Sequence, residues 1–284
     1  MTLKKIRKFA KKNYFITAFF AIILFVGVIS LYKLFATKPT YIYTKVKIGQ
    51  GLWWASTAKP GIWLAGAIKK GDTETSILGG KSVEVLNVRY YPYYSSMAAD
   101  QFDVYLTLKL RVSHNKKTNQ YLFKRTAVSV GSPIELELTS AQVDGTVVEL
   151  AGEPFEEKYL EKTVYLTKRS AYAWEFDAIK VGDKYFDGEN TVFEILDKSS
   201  SDKLSFSADK FSISSSIPSI ENLYFTYPII PETRKYITVK AKILVKEKNN
   251  QLVFAEEQVI RPGKLINLST PNFVFTDFVV GKIE

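Results

Sequence analysis

The chain has 284 residues, of which 46% are hydrophobic and 24% charged, a composition typical of a folded protein rather than a disordered one. It contains no cysteine and one histidine, which excludes disulfides, thiolate nucleophiles and zinc–thiolate sites. Residues 1–38 hold eight of the 39 basic side chains and no acidic one, so the net charge of +10 belongs mostly to the N-terminus. The nearly neutral remainder argues against a phosphate-tracking surface, and we expect no nucleic-acid partner.

The first predicted element is a membrane span. Residues 14–35 form an apolar run whose one charged side chain, Lys33, lies near its end, and about 20 apolar residues suffice to cross a bilayer. Six basic side chains precede the run, which by the positive-inside rule keeps the start of the chain in the cytoplasm. We predict a basic cytoplasmic tail over 1–13, an uncleaved transmembrane helix over 14–36 that binds the lipid bilayer, and an extracytoplasmic remainder.

A cleaved signal peptide is the alternative interpretation of this run. Its apolar core is normally only about 7–15 residues long and ends at a small-x-small cleavage site. The run here is longer, and the following KLFATKPT offers only Ala36 in a weak context. The length of the apolar run and its weak cleavage context favour an uncleaved anchor.

A first β-domain is predicted over residues 41–150. Alternating polarity predicts strands over 41–48 and 82–88, and turns are expected at Gly71-Asp72 and Gly79-Gly80. The glycine-rich residues 49–66 predict irregular structure that leads into a strand end at Ala67. Farther along, apolar residues alternate with polar ones from Val104 to Val112, the period of a strand with one buried face.

A second, related β-domain is predicted over residues 163–284. Residues 103–150 recur as 235–284, and AIKKGD from Ala67 recurs as AIKVGD from Ala178. The alignment has no gap between 131–145 and 263–277, so it matches Val147-Val148 with Val279-Val280. The alternation also recurs, at Ile237, Val239, Ala241, Ile243 and Val245. Because the repeated segments keep their order, a whole domain is duplicated.

Two segments interrupt the repeat. Residues 151–162 (AGEPFEEKYLEK) are acidic and predict an interdomain linker with a short helix and solvated glutamates. A serine-rich insertion at about 197–219 predicts either an added hairpin or a surface loop. The predicted fold class is mainly β, with one N-terminal transmembrane helix followed by two tandem related β-domains of barrel- or sandwich-like form.

The best-preserved motifs are IKVGD at 179–183, RPGKLINLSTPNF at 261–273 and VVGKI at 279–283. They resemble the bacterial domain-of-unknown-function family 4330, whose proteins combine one N-terminal membrane span with an exported β-domain. The first copy shows the pattern more loosely, at 68–72, 130–138 and 145–148. The chain differs from the family in having two copies, and in having Asp277 where the family has a glycine. The resemblance implies architecture and no catalytic residue.

The sequence contains no nucleophile elbow, phosphate-binding loop or HExxH motif, and we expect no catalysis, no cofactor and no metal. Glycosidase-type chemistry needs only two carboxylates, so composition does not exclude it. The acids that repeat, Asp72 and Asp183, follow a glycine in a turn, where aspartate commonly bonds its own backbone. The one histidine, His114, falls in a predicted turn and is expected to be solvated.

The candidate binding residues are the clustered aromatic side chains of the first copy: Trp53, Trp54, Trp63, Tyr90, Tyr91, Tyr93 and Tyr94. Such residues stack on sugars, anchor a partner protein, rest on the membrane interface or pack inside the domain. We predict a non-catalytic envelope scaffold or an assembly or secretion accessory subunit with an envelope protein partner. The alternative is a module that binds cell-wall glycan or a peptide through these aromatic loops.

Overall fold

The computed structural model describes residues 14–36, 39–49, 59–76, 79–95, 98–201 and 234–284. It contains an N-terminal helix, α1 (Tyr14–Ala36), and two sets of eight strands with one short helix each. Domain 1 comprises β1 (Thr40–Ile48), α2 (Ile62–Ala67), β2 (Thr73–Thr75), β3 (Lys81–Ser95), β4 (Ala98–Asn115), β5 (Gln120–Phe123), β6 (Thr126–Val128), β7 (Pro133–Glu137) and β8 (Gln142–Ala151). Domain 2 comprises β9 (Tyr159–Ala171), α3 (Ala173–Ala178), β10 (Lys184–Phe186), β11 (Thr191–Ser201), β12 (Lys235–Lys248), β13 (Gln251–Phe254), β14 (Gln258–Ile260), β15 (Leu265–Ser269) and β16 (Val274–Ile283).

α1 is an apolar helix whose side chains are described over residues 14–30 and at Tyr32. Large apolar side chains along it are exposed, including Phe15 at 74% and Leu24 at 69%. Within the described residues, no helix is long and apolar enough to cross a membrane. The transmembrane helix predicted over 14–36 is therefore not found there, and the predicted basic tail over 1–13 lies outside the described residues.

The two domains share one strand topology. The hydrogen-bonded order is β2-β3-β4-β1-β8-β7 in domain 1 and β10-β11-β12-β9-β16-β15 in domain 2, with antiparallel neighbours. A hairpin extends from the central strand of each, β5–β6 from β4 and β13–β14 from β12. In domain 1 the two ends of the sheet meet, since the Thr139 N–H donates to the Thr73 carbonyl at 3.1 Å. Each sheet is thus barrel-like, which confirms the mainly β class and the tandem of related domains.

The predicted alternation of the central strands is confirmed. Leu106, Leu108 and Leu110 of β4 are fully buried, and so are the matching apolar residues of β12. Each fully buried aliphatic side chain stabilises the fold by about 1.5–3 kcal/mol. A slip of one residue would turn all of them to the other face, so their burial fixes the register of both sheets. Tyr105 departs from the pattern, because domain 2 covers the outer face of β4 at this residue and leaves it 4% exposed.

The two copies are offset by one residue in β16. The Gly131 N–H donates to the Val147 carbonyl and the Gly263 N–H to the Val280 carbonyl, each at 2.7 Å. Val147 therefore matches Val280, and the ungapped alignment that pairs it with Val279 is wrong. The extra residue is Asp277, which has a φ of 62° and lies where the β15–β16 register shifts. A bulge of this kind adds a residue without changing the strand order, so an ungapped alignment misses it.

The short helices lie elsewhere than predicted. Residues 152–158 form neither helix nor strand, and the predicted linker helix is absent from them. α2 instead includes Ala67, where a strand end is predicted, and α3 occupies the equivalent place in domain 2. β11 extends to Ser201, so the serine-rich segment begins within a strand, and residues 202–219 lie outside the described part of the chain.

The two repeated acids, Asp72 and Asp183, each connect two turns of their own domain by hydrogen bonds. The Asp72 carboxylate accepts hydrogen bonds from the Ser140 hydroxyl and, at 2.9 Å, from the Lys69 N–H, which confirms that it bonds its own turn. The Asp183 carboxylate accepts from the side-chain amide of Asn272 at 2.8 and 2.9 Å. Ser140 and Asn272 both lie in the turn between the last two strands of their domain. Each aspartate thereby holds that turn against the turn before β2 or β10.

Candidate functional site

Two of the candidate tyrosines lie between the domains. The Tyr91 side chain is 7% exposed, and its hydroxyl donates to Asp187 Oδ2 of domain 2 at 2.8 Å. Its ring packs edge-on against Tyr105 and against Phe254 of domain 2, with centroids 6.1 and 6.4 Å apart. Tyr90 joins the same contact through its main chain, since its N–H donates to the Asp187 carbonyl at 2.9 Å. Strand β3 is thus part of the junction between the domains.

A cluster of buried charges adjoins these tyrosines. Lys45 of β1 lies 2.8 Å from Glu157 of the connecting segment and 3.0 Å from Glu256 of the β13–β14 turn. Arg89 of β3 reaches the same two glutamates at 2.6 and 3.1 Å. Lys246 of β12 lies 2.9 Å from Glu157 and 2.5 Å from Glu256. We call these five residues the junction cluster; it links domain 1, the connecting segment and domain 2.

Further ion pairs surround the junction cluster. Arg89 also lies 2.8 Å from Glu189 and 3.8 Å from Asp187, both in the β10–β11 turn. Lys47, two residues after Lys45, lies 2.7 Å from Glu257 of domain 2. The negative charges around Arg89 offset the excess of positive charge within the cluster. Buried ion pairs contribute little net stability, but removing one partner commonly costs about 3–5 kcal/mol, so the cluster chiefly fixes how the domains fit together.

The junction shifts the pKa values of its members. Burial raises the pKa of Glu256, but the ammonium groups of Lys246 and Lys45 outweigh burial and lower it to about 2. Burial lowers the pKa of Lys45, and Glu256 and Glu157 outweigh it, so this pKa is raised. For Lys246, burial and the repulsion from Lys45 outweigh the glutamates, so its pKa is lowered. Glu256 and Lys45 are therefore charged at neutral pH, and Lys246 is the most easily neutralised cation.

Glu256 is held by an unusual backbone conformation. Ala255 and Glu256 have φ values of 51° and 67°, in the left-handed region that costs a non-glycine residue about 1–2 kcal/mol. The equivalent turn of domain 1 follows Phe123, as this one follows Phe254, and places Lys124 and Arg125 at φ 46° and 72°. The second left-handed residue of the turn is thus a base in domain 1 and an acid in domain 2, and the turn of domain 2 has one further residue, Glu257.

The charged groups of the junction are bonded to one another. The neighbouring cleft, of about 340 Å³, is lined by Lys45, Glu157, Lys246 and Glu256, and by Phe155 and Val253. Its two cations from the junction cluster, Lys45 and Lys246, each have a carboxylate partner at hydrogen-bonding distance. Among the described residues, no group of three or more metal-ligating side chains is placed to hold an ion. The arrangement therefore acts as a fastening between the domains.

A different pair of aromatic residues is exposed. Trp63 in α2 and Trp174 in α3 are 75% and 62% exposed, and they occupy the same position in WLAGAIKKGD and WEFDAIKVGD. The ring of Tyr172 stacks beside Trp174 with centroids 6.1 Å apart. The Arg234 guanidinium lies over the Tyr172 ring, 3.3 Å from its centroid. Neither tryptophan packs in a hydrophobic core, so each domain presents one large aromatic surface at an equivalent place.

Trp63 lies near the end of β1 that is opposite to the end preceded by α1. The Phe102 N–H donates to the Pro60 carbonyl at 2.9 Å, which fixes the start of α2 beside the first residues of β4. That end of β4 pairs with the end of β1, since Ile48 faces Val104, whereas Thr40 at the start of β1 faces Val112. The exposed tryptophan and the C-terminal end of α1 are therefore at opposite ends of β1.

The remaining candidates divide as follows. Tyr93 is half-buried, with Lys59 lying 4.3 Å from its ring centroid. Tyr94 belongs to β3, but its side chain is outside the described part of the structure. Trp53 and Trp54 lie outside the described residues. The structure thus brings Tyr90 and Tyr91 together at the junction and places Trp63 apart from them.

Sequence reasoning missed Trp174 and the junction cluster. Trp174 was detectable, because the repeated AIK-x-GD motif extends without a gap to a tryptophan four residues earlier in both copies. The sequence gives no comparable signal for the junction cluster. Lys45 and Glu256 are 211 residues apart, and lysines and glutamates do not show in a sequence which of them form ion pairs. Glu157 also lies in the segment for which solvated glutamates are predicted, and it is instead largely buried.

No family model matches the chain, and neither a curated protein nor a solved structure is detectably similar to it. The resemblance to domain-of-unknown-function family 4330 stays a prediction.

Proposed function

We propose that the chain is a membrane-anchored, extracytoplasmic and non-catalytic envelope protein that serves as a scaffold or assembly subunit. The observation that carries the proposal is the junction: the two β-domains are held together by buried charges and by Tyr91, so they form one unit. The exposed tryptophan of each domain then provides a contact for an envelope protein partner.

The exposed apolar side chains of α1 support the proposed membrane anchor, although the described part of the helix does not amount to a span. A helix that is hydrophobic on all sides is normally buried in a core or in a bilayer. The large apolar side chains described in α1 are exposed, with Phe25 at 66% and Ile22 at 63%. Hydrocarbon surface of this extent is unfavourable in water and is stabilised by lipid.

Topology is tested by cysteine labelling, which the cysteine-free chain makes simple. Single Lys5→Cys and Lys116→Cys variants are expressed in bacteria and treated with a membrane-impermeant thiol reagent. Lys116 lies in the exposed β4–β5 turn. We expect labelling of Lys116→Cys in intact cells, and labelling of Lys5→Cys only after lysis. The reverse pattern, or release of the chain by alkaline extraction, contradicts the proposed anchor.

The assembly role is tested by photo-crosslinking in intact cells. A photoreactive amino acid replaces Trp63, Trp174 or, as a control, Lys158, whose side chain is 88% exposed in the connecting segment. We expect one discrete adduct from each tryptophan position and none from Lys158. On blue-native gels we expect a complex larger than the chain alone, and we expect the Trp63→Ala, Trp174→Ala double variant to lose it. A chain that migrates alone in native gels, without adducts, contradicts the assembly role.

A second candidate function is glycan binding, which the exposed tryptophans favour specifically. Flat aromatic faces stack on sugar rings, and Trp174 has the stacked ring of Tyr172 beside it. If this is the function, the purified chain sediments with isolated cell wall. The Trp63→Ala and Trp174→Ala variants then each weaken this binding, while Tyr93→Ala does not. Unchanged sedimentation of both tryptophan variants rules the candidate out.

A further inference from the structure

One strand edge is closed in domain 2 and open in domain 1. In domain 2, the carboxamide of Gln258 in β14 bonds the main chain of Asn267 in β15. The Gln258 amide donates to the Asn267 carbonyl at 2.8 Å, and the Asn267 N–H donates to Gln258 Oε1 at 3.0 Å. A carboxamide carries the same donor and acceptor as a peptide group, so Gln258 stands where the main chain of a neighbouring strand would lie.

A strand from domain 1 completes this closure. Tyr91 and Pro92 of β3 lie over Phe254, Gln258 and Asn267, and only about 10 Å³ of space remains between them. The Tyr91 ring packs edge-on against Phe254, and Arg89 of the same strand meets Glu256 at 3.1 Å. The edge of β15 is thus covered by an extended segment with an aromatic ring and a charge that complements the β13–β14 turn.

The equivalent edge of domain 1 is uncovered. Thr126 is equivalent to Gln258, because Thr126 pairs with Phe123 as Gln258 pairs with Phe254. Glu135 is equivalent to Asn267, because each lies four residues after a turn glycine, Gly131 or Gly263. Thr126 is exposed, and its short side chain cannot supply a carboxamide. Between β6 and β7 there remains a cleft of about 480 Å³, lined by Phe123, Val128 and Ile134.

The main chain of Glu135 faces this cleft. Glu137, two residues later, uses its N–H to bond the Glu74 carboxylate at 3.0 Å, and not β8. Alternate residues of a strand direct their N–H and C=O groups to the same side, so those of Glu135 also point away from β8. The Glu135 carbonyl accepts a bond from Lys124 Nζ at 3.3 Å, near the upper limit for such a bond.

The charge of the adjoining turn is reversed relative to domain 2. Counted from the preceding phenylalanine, Arg125 occupies the position of Glu256, with a φ of 72° against 67°, and Glu257 is the additional residue of the longer turn in domain 2. Arg125 is exposed, and it has no ion pair within the described part of the chain. If a segment docks on this edge in the way that β3 docks on domain 2, its residue equivalent to Arg89 lies beside Arg125. An acidic residue fits that position, because its charge complements that of Arg125.

We propose that the β7 edge of domain 1 binds an extended segment of a partner protein by strand addition. The segment pairs with the main chain of Glu135, places an aromatic ring beside Phe123 and offers an acidic residue to Arg125. This inference rests on the assembly role proposed above and names where the partner attaches.

The test uses two labelled nine-residue peptides and the full chain in detergent. The first peptide has the sequence of residues 87–95 with Arg89→Glu, and the matched control keeps the arginine. Fluorescence anisotropy should show the acidic peptide binding at least about fivefold more tightly than the control, because it complements Arg125. An Arg125→Glu variant should reverse this preference.

A closed variant identifies the site. Thr126→Gln combined with Glu135→Asn copies the bridge of domain 2 and should weaken binding of the acidic peptide by about tenfold or more. Gln258→Thr, the matched change in domain 2, should leave the preference for the acidic peptide intact. Far-UV circular dichroism and the melting temperature verify that each variant is folded.

Other results overturn the proposal. These are failure of the acidic peptide to bind, or binding that the closed variant leaves unchanged. A third is self-association in sedimentation velocity that the closed variant abolishes, because the occupant is then a second copy of the chain. Trp63→Ala and Trp174→Ala should not affect peptide binding, so the strand site and the tryptophan contacts can fail independently.

Discussion

At the scale of single residues, Glu256 joins all three cations of the junction cluster. It bonds Lys45, Lys246 and Arg89 from a side chain that is 8% exposed. Glu256→Gln keeps the shape but removes the charge, which leaves three buried cations with less compensation. We expect a loss of about 3–5 kcal/mol in the free energy of unfolding, measured by urea denaturation.

The adjacent residue provides the control for this prediction. Glu257 pairs with Lys47, and its side chain is 52% exposed. Exposed ion pairs contribute only about 0–1 kcal/mol, so Glu257→Gln should have little effect on the urea midpoint. Equal effects of the two substitutions would show that burial at the junction does not determine the cost.

At the scale of elements, the bulge in β16 predicts how Asp277 responds to substitution. Its φ of 62° suits glycine and is tolerated by aspartate, but it clashes with a β-branched side chain. Asp277→Val should destabilise domain 2 by about 1–2 kcal/mol, whereas Asp277→Gly should be neutral or slightly stabilising. Thermal unfolding of both variants measures the difference. A valine variant as stable as the glycine variant would contradict the left-handed conformation.

At the scale of the whole molecule, acid should separate the domains before it unfolds them. The junction lowers the pKa of Glu256 from 4.5 to about 2 and also lowers that of Glu157. A carboxylate whose pKa is lowered on folding stabilises the native state above its unfolded pKa. That stabilisation is lost as the pH falls toward the folded pKa, and for Glu256 it amounts to about 3 kcal/mol.

The separation can be measured by energy transfer between dyes on Lys116→Cys and Lys282→Cys, one in each domain. Lys282 is 67% exposed. The transfer efficiency should stay constant from pH 7 to about 5 and change between about pH 4.5 and 2, while the strand signal in circular dichroism persists. In Glu256→Gln, the change attributable to this carboxylate should disappear. Simultaneous loss of both signals would mean that the junction and the domains unfold together.

The parts of the fold that follow from local chemistry were predictable from the sequence. Alternating residues in β4 and β12 determined their buried faces, and Gly131 and Gly263 marked equivalent turns, because these features depend on near neighbours in the chain. The bulge at Asp277 and the α2 helix were not predictable, since each depends on how a segment fits a sheet that the sequence does not display.

The site was predictable only where it repeats. The shared Trp63 and Trp174 motif is visible in the sequence once the copies are aligned from the tryptophan onward. In the sequence, nothing distinguishes Tyr91 from the aromatic residues of an exposed loop. Its place at the junction depends on Asp187, 96 residues later, whose carboxylate accepts a hydrogen bond from the Tyr91 hydroxyl. The junction cluster depends on docking between domains, which no local pattern specifies.

The contact between the domains gives the molecule a polarity. Domain 1 contributes strands β1 and β3, whereas domain 2 contributes the β10–β11 and β13–β14 turns. A two-fold contact would use the same patch on both copies and close on itself, but a head-to-tail contact leaves an unmatched patch at each end. Domain 2 has Ser199, Ser200 and Ser201 where domain 1 has Arg89, Tyr90 and Tyr91, so the series stops after two members. The two ends of such a directional series therefore present different surfaces.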